Sequence, residues 1–288
     1  MFTVTECNGA IATVELVDPE SQSRAVLAPS RGGLMTRLTL GGRELLFLDE
    51  ATFFDLKSNV RGGCPVLFPS PGKLAGDAWA RDGRAGSMKQ HGFARNLAWE
   101  VTRRGTDGSA SVTLSLTSSD ATRSQYPWDF AVEFTYALSG AALRIEQRFT
   151  NKSASPMPFG AGFHPYFFVP DAEKAGARVV TDATRAFDNA TKQEITLGAG
   201  IDLTREQVDL HLWDHGRPSA ELTRPGAPAV RLEGSPELTH WVVWTLKGRD
   251  FVCLEPWTCP GNALNSGDRL LVLDPGESRT LSLEITSG

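Results

Sequence analysis

Apolar side chains recur at every second position through most of this chain, the signature of strands with one buried face. Val112, Leu114 and Leu116 alternate with small polar residues. Phe130, Val132, Phe134, Tyr136 and Leu138 do the same, and beyond Ser139-Gly140 the alternation resumes at Leu143, Ile145, Gln147 and Phe149. Two such runs around a turn pair predict a long antiparallel hairpin. Further strands are expected over residues 24–28, 35–40, 44–48, 241–246, 251–255, 270–273 and 280–285. No amphipathic run of ten or more residues predicts a helix, and the 28 glycines and 17 prolines fall mainly between strand candidates. The expectation is an all-β fold, two packed sheets or a barrel. Residues 1–288 read as a single domain, because no Pro- or Ser-rich linker divides them and no repeat appears. Residues 171–235 are the least regular stretch and read as functional loops over a rigid sheet.

Composition narrows the function classes. A hydrophobic fraction of 41% with 22% charged residues is that of a globular protein with an ample core. No apolar run approaches the roughly 18 residues of a membrane helix, so no membrane partner is expected. Met1-Phe2-Thr3-Val4-Thr5-Glu6 lacks the basic start and apolar stretch of a secretion signal, which points to the cytoplasm. Cys7, Cys64, Cys253 and Cys259 are too few and too irregular for a disulfide framework or a zinc site. A net charge of −5 argues against general nucleic-acid binding. The charge is uneven, however: residues 57–104 hold nine Lys or Arg against three acids. Such a segment either attracts a small anion such as a sugar phosphate or is ordinary surface scatter.

Four stretches stand out chemically. Arg61-Gly62-Gly63-Cys64-Pro65 combines a bidentate donor with glycines that permit positive φ or close backbone approach, though a turn entering a strand has the same make-up. In Gln90-His91-Gly92-Phe93-Ala94-Arg95, donor-rich side chains lie near Phe93 and Trp99, the mixture of a sugar subsite. His164 sits in an apolar, aromatic strand end and is either a proton carrier or a satisfied core histidine. Glu255 lies among Val252, Leu254 and Trp257, where a carboxylate is rare unless paired or used. His211, His215 and His240 have no comparable context. The pair His211 and His215, near Asp209 and Asp214, hints at a metal site only if a helix places them on one face, and none is expected.

Together these segments resemble the aldose 1-epimerase (galactose mutarotase-like) family over residues 34–282. The Arg-Gly-Gly and Gln-His-Gly-Phe-Ala-Arg segments are closest to its hexose-6-phosphate mutarotase-like branch. The resemblance implies a large twisted antiparallel β-supersandwich with a sugar cleft. It makes His164 the general acid and Glu255 the general base, with His91 assisting at the ring oxygen and Arg61, Gln90 and Arg95 binding substrate. An aspartate between His164 and Glu255 binds sugar hydroxyls in this family; Asp209 is the first choice and Asp214 the alternative. The implied reaction interconverts the α and β anomers of a hexose or hexose 6-phosphate, with no cofactor or metal needed. A sugar-binding protein without catalysis, or a glycoside hydrolase with paired carboxylates, are the competing readings.

Overall fold

In the computed structural model, which describes residues 1–288, the alternation is realised as antiparallel sheet. Phe130–Ser139 and Ala142–Asn151 form the expected hairpin, in register from Phe130↔Asn151 to Ser139↔Ala142. Its inward row, from Phe130 through Leu138 and from Leu143 through Phe149, is fully buried. The hairpin centres an eight-stranded sheet that runs from Arg178–Val180 at one edge to Glu100–Gly105 at the other.

A second eight-stranded sheet carries the strands that matter chemically. Its order is Gln193–Thr196, Arg185–Asp188, Gln207–Leu212, His240–Leu246, Phe251–Trp257, Gly162–Phe163 and Val66–Leu67, with Tyr166–Phe168 also paired to Phe251–Trp257. A five-stranded sheet from Thr3–Cys7 to Arg43–Glu44 flanks the pair. One cluster of 61 buried residues joins all three. The two large sheets meet through ring pairs such as Phe134 and Phe163, 5.7 Å apart. Phe68 sits among Phe93, Tyr126, Phe130, Phe149 and Phe159 at centroid distances of 5.1 to 6.3 Å.

The structure departs from the sequence expectations in three places. Residues 171–235 are not loops: they hold six strands of three to eight residues, too short to show a period between Asp, Gly and Pro turns. Residues 44–48 do not form a continuous strand; after Arg43–Glu44 the chain makes only the isolated bridges Leu46↔Phe167 and Leu48↔Gly62. Thr3–Cys7 and Thr13–Asp18 form strands that were not anticipated, the first almost wholly exposed and therefore without alternation. The three α-helices are single turns, and no helix is long and apolar enough to cross a membrane.

Period two in the second sheet decides what faces outward. Ala186, Val208, Leu210, Leu212, Trp241, Val243, Val252 and Leu254 all point into the core. Their neighbours Phe187, Asp209, His211, Val242, Trp244, Cys253, Glu255 and Trp257 therefore share the opposite face.

Candidate active site

Strand register arranges that outer face into rows. Phe187 pairs with His211, His211 with Val242, and Val242 with Glu255. On the next strand, Gly162 pairs with Trp257, which brings His164 alongside Glu255. The result is a cleft of about 920 Å³ with this row as its floor. Arg61, Gln90, His91, Arg95, His164, Asp209 and Glu255 all line it.

His164 Nε2 and Glu255 Oε1 are 3.5 Å apart, and both side chains are almost entirely buried. Burial, with the nearby Arg95 guanidinium, drives the His164 imidazole down to about 3. Burial, with the Asp209 carboxylate, pushes Glu255 well above the usual carboxylate range; the Trp257 indole N–H and Arg95 oppose this. That indole N–H makes no hydrogen bond of good geometry, and Glu255 Oε2 has no protein partner. We favour a neutral pair over an ion pair, because desolvation penalises both charges and 3.5 Å is long for a charge-assisted bond. The neutral and ionised forms hold the same number of protons and differ only in where one of them resides.

Local backbone contacts hold these groups. The His164 amide donates to Pro65 O at 3.1 Å and the Tyr166 amide to Gly63 O at 2.9 Å, so the Arg61–Pro65 segment braces the His164 strand end. Gly62 has φ 123°, and a Cβ there would lie 2.6 Å from Leu48 Cα and Phe47 O. This supports the close-approach reading of the paired glycines. The Tyr166 ring stacks on His164 at 4.8 Å. His91 has φ 71°, uncommon for a side chain other than glycine, and is tied to Gly72 in both directions. Its amide donates to Gly72 O at 2.8 Å, and its Nδ1 accepts from the Gly72 amide at 3.1 Å. The neutral ring therefore carries its proton on Nε2, directed at the Gln90 amide group 3.1 Å away, whose oxygen is the member able to accept it.

Asp209 is the aspartate of the cleft. Its Oδ2 accepts from Asn189 Nδ2 at 2.8 Å, and its Oδ1 is 3.7 Å from His211 Nε2. Asp214, the alternative, does not line the cleft. Its carboxylate accepts from the Thr184 amide and hydroxyl and the Arg185 amide, bonds that pull it down to about 2.

The sequence reading missed His211 and His240. His211 Nδ1 lies 2.8 Å from His240 Nε2, and Arg269 faces His240 Nδ1 at 3.5 Å. Arg269 only donates, so His240 Nδ1 accepts, its Nε2–H donates to His211 Nδ1, and His211 presents Nε2–H beside Asp209. Burial lowers both imidazoles, which keeps the relay neutral. The available signal was that His211 is two residues from Asp209 in an alternating strand and so shares its face. His215 lies elsewhere, against Trp241 and Asp182, so His211 and His215 form no metal pair.

His164, Cys253 and Glu255 are the three groups whose ligand atoms come within 4.8 Å of one another. Burial and Glu255 push the Cys253 thiol well above its usual range. A metal there would occupy the facing atoms of His164 and Glu255. At the other margin Arg61, Lys73 and Arg95 supply positive charge, whereas Lys89 does not reach the cleft. Arg95 donates to Gln90 O at 2.9 Å and keeps Nε buried without a protein partner.

A β-supersandwich with an imidazole, a carboxyl and converging polar side chains in one cleft is the architecture of the galactose mutarotase-like fold. The aldose 1-epimerase family model matches residues 15–286, and the chain belongs to that family. A putative glucose-6-phosphate 1-epimerase of Cenchrus ciliaris is 24% identical over 265 residues, 82% of this chain and 73% of the relative. One from Salmonella typhimurium is 29% identical over 196 residues, 67% of this chain and 61% of the relative. The crystal structure of Slr1438 from Synechocystis sp. PCC 6803 superposes with a TM-score of 0.94 at 37% identity, covering 100% of this chain and 99% of that one. A galactose mutarotase-like protein from Clostridium acetobutylicum gives 0.85 at 17% identity, covering 100% and 98%, a likeness of fold.

Proposed function

We propose that this protein is an aldose 1-epimerase that interconverts the α and β anomers of a hexose or hexose 6-phosphate through His164 and Glu255. The observation that carries the reading is the 3.5 Å approach of His164 Nε2 to Glu255 Oε1 on the floor of the cleft. Ring opening must remove a proton from the anomeric hydroxyl and deliver one to the ring oxygen. With the pair ionised, Glu255 takes the first proton and His164 gives the second, and the pair is left neutral. The open-chain aldehyde turns about its bond to the next carbon. Closure on the other face runs the transfers backwards and restores the ionised pair. Burial favours the neutral member; substrate hydroxyls that donate to Glu255 and a ring oxygen that accepts from His164 favour the ionised one. The cycle moves one proton between the two sites, and a positioned acid or base contributes roughly 10²–10⁴-fold.

His91 Nε2–H, released from Gln90 when substrate binds, assists at the ring oxygen; its ring lies 5.5 Å from that of His164. Asp209 and His211 bind hydroxyls as an adjacent acceptor and donor. Arg61 and Arg95 bind oxygen pairs, and together with Lys73 they suit a phosphate on a neighbouring carbon. The nearest ionisable partner of Glu255 is an imidazole rather than a second carboxylate, which favours epimerisation over glycoside hydrolysis.

Saturation-transfer NMR of anomer exchange on glucose, galactose and glucose 6-phosphate tests the reading. Wild-type protein should accelerate at least one of the three, and Glu255→Gln and His164→Ala should abolish the acceleration while staying folded. Saturable sugar binding without acceleration of exchange would leave a binding protein instead.

A further inference from the structure

We propose that His164, Cys253 and Glu255 form an inhibitory site for a divalent cation of the zinc type, entered from the cleft. The inhibition rests on the epimerase reading; the binding site itself stands apart from it.

Strand order assembles the trio. Cys253 and Glu255 are two residues apart on Phe251–Trp257 and so share one face. Tyr166 pairs with Cys253 from the adjacent strand, and the Tyr166 ring stacks on His164 at 4.8 Å, which carries that imidazole to the same place. The potential ligand atoms of the three residues lie within 4.8 Å of one another, and all three residues are buried. Glu255 Oε2 is buried without a protein partner, which leaves an acceptor free for a cation. A buried cysteine is often only a small apolar filler, and Cys253 does pack against Tyr166 and Phe251. A filler needs no imidazole and carboxyl beside its sulfur, however, and proton transfer between His164 and Glu255 gives the thiol no task. The four cysteines cannot make a zinc site among themselves, but one of them here joins an imidazole and a carboxyl.

Chemistry selects the ion. Tetrahedral zinc takes histidine nitrogen and carboxylate oxygen at about 2.0–2.2 Å and thiolate sulfur at about 2.3 Å, which sets its ligand atoms roughly 3.3–3.6 Å apart. His164 Nε2 and Glu255 Oε1 already stand at 3.5 Å. A side-chain rotation closes the remaining distance of roughly 1 Å to the sulfur. Magnesium and calcium favour six or more oxygen ligands, so a nitrogen, oxygen and sulfur set disfavours both. Charge balances as well. The thiol and the carboxyl each give up a proton, the imidazole binds through a neutral nitrogen, and the dication with thiolate and carboxylate sums to zero. A neutral complex suits a buried site and sets no net charge against the Arg95 guanidinium near Glu255. Three protein ligands leave a fourth position toward the cleft, which His164 and Glu255 line. With the nitrogen and the carboxylate taken by the ion, neither group can pass a proton to a sugar.

The test replaces the exposed thiol Cys7 by serine throughout, so that only buried cysteines remain. Zn²⁺ titrated into the anomer-exchange assay should inhibit, and EDTA should reverse the inhibition. Cys253→Ala should keep metal-free exchange within about twofold and need more than about tenfold more zinc, because losing even a hydrogen-bond partner of a metal ligand costs roughly 10–100-fold. Co²⁺ in place of zinc should give a thiolate-to-metal charge-transfer band in the near ultraviolet, absent from Cys253→Ala and weakened in His164→Ala. Cys253→Val serves for both readouts should the alanine variant not fold. No inhibition by zinc, stimulation by zinc, equal inhibition of wild type and Cys253→Ala, or no charge-transfer band would each overturn the proposal. If the metal-free protein exchanges no sugar, the epimerase reading itself fails, and the cobalt band alone then decides the site.

Discussion

Replacing either member of the buried pair should expose a pH dependence of stability that the intact pair conceals. Between pH 4.5 and 6.5 the unfolded chain holds one proton on the two groups, with His164 charged below 6.5 and Glu255 ionised above 4.5. The folded protein also holds one, because burial keeps Glu255 protonated while His164, at about 3, is neutral. Equal proton counts give no slope. In Glu255→Gln only His164 remains. Its depressed pKa means that the unfolded chain binds the extra proton, so stability falls as pH drops through the window. The limiting slope is about 1.4 kcal/mol per pH unit, or roughly 2 kcal/mol from pH 6.5 to 4.5 once partial titration at both ends is included. In His164→Asn only Glu255 remains, and the sign reverses. A raised carboxyl pKa contributes stability that is fully present below 4.5 and is lost as pH rises. The double variant should parallel the wild type. Urea unfolding of the four proteins at pH 4.5, 5.5 and 6.5 gives the differences directly, with the other titrating groups cancelling. Single variants whose difference from wild type stays constant within about 0.5 kcal/mol across the window would refute the shared-proton account.

Other consequences follow from the site and the core. His240→Leu should release the tautomer of His211 and raise the sugar KM roughly fivefold with a smaller change in kcat, the scale of one neutral hydrogen bond. His240→Gln, whose amide accepts from Arg269 and donates to His211, should restore most of the loss in the same exchange assay; failure of that rescue would reduce His240 to packing. Phe68→Ala, which removes a fully buried ring from among five aromatic neighbours, should cost about 3–5 kcal/mol in urea unfolding. Asp214→Ala should cost ~1 kcal/mol at pH 7, because its three hydrogen bonds are partly screened by solvent. That cost should shrink as pH falls below the unfolded value of 3.8 toward about 2, where the folded carboxyl protonates, and anomer exchange should be unaffected.

How much of this was legible in the chain depends on what each feature needed. The hairpin of Phe130–Ser139 and Ala142–Asn151 was legible because five inward residues alternate in its first arm and four in its second, and one Gly turn sets the register. The strands between residues 171 and 235 were not, because three to eight residues offer too few repeats to distinguish a half-buried strand from a loop. Glu255 and His164 announced themselves as anomalies, polar groups in apolar strands, and such anomalies need no knowledge of neighbours. His211 and His240 are ordinary residues in ordinary alternating strands. Their meaning arises from register: His211↔Val242 and His240↔Trp257 put two imidazoles at hydrogen-bond distance and let Arg269 orient both. The same registers set the order Phe187, His211, Val242, Glu255 across the floor, so a one-residue slip of Gln207–Leu212 would bury Asp209 and His211 and present Val208 and Leu210 to the cleft. The packed face, Val208, Leu210, Leu212, Trp241 and Val243, forbids that slip because it would turn those apolar side chains into water. Core packing remote from the cleft is thus what brings Asp209, His211 and Glu255 onto one face of the sheet.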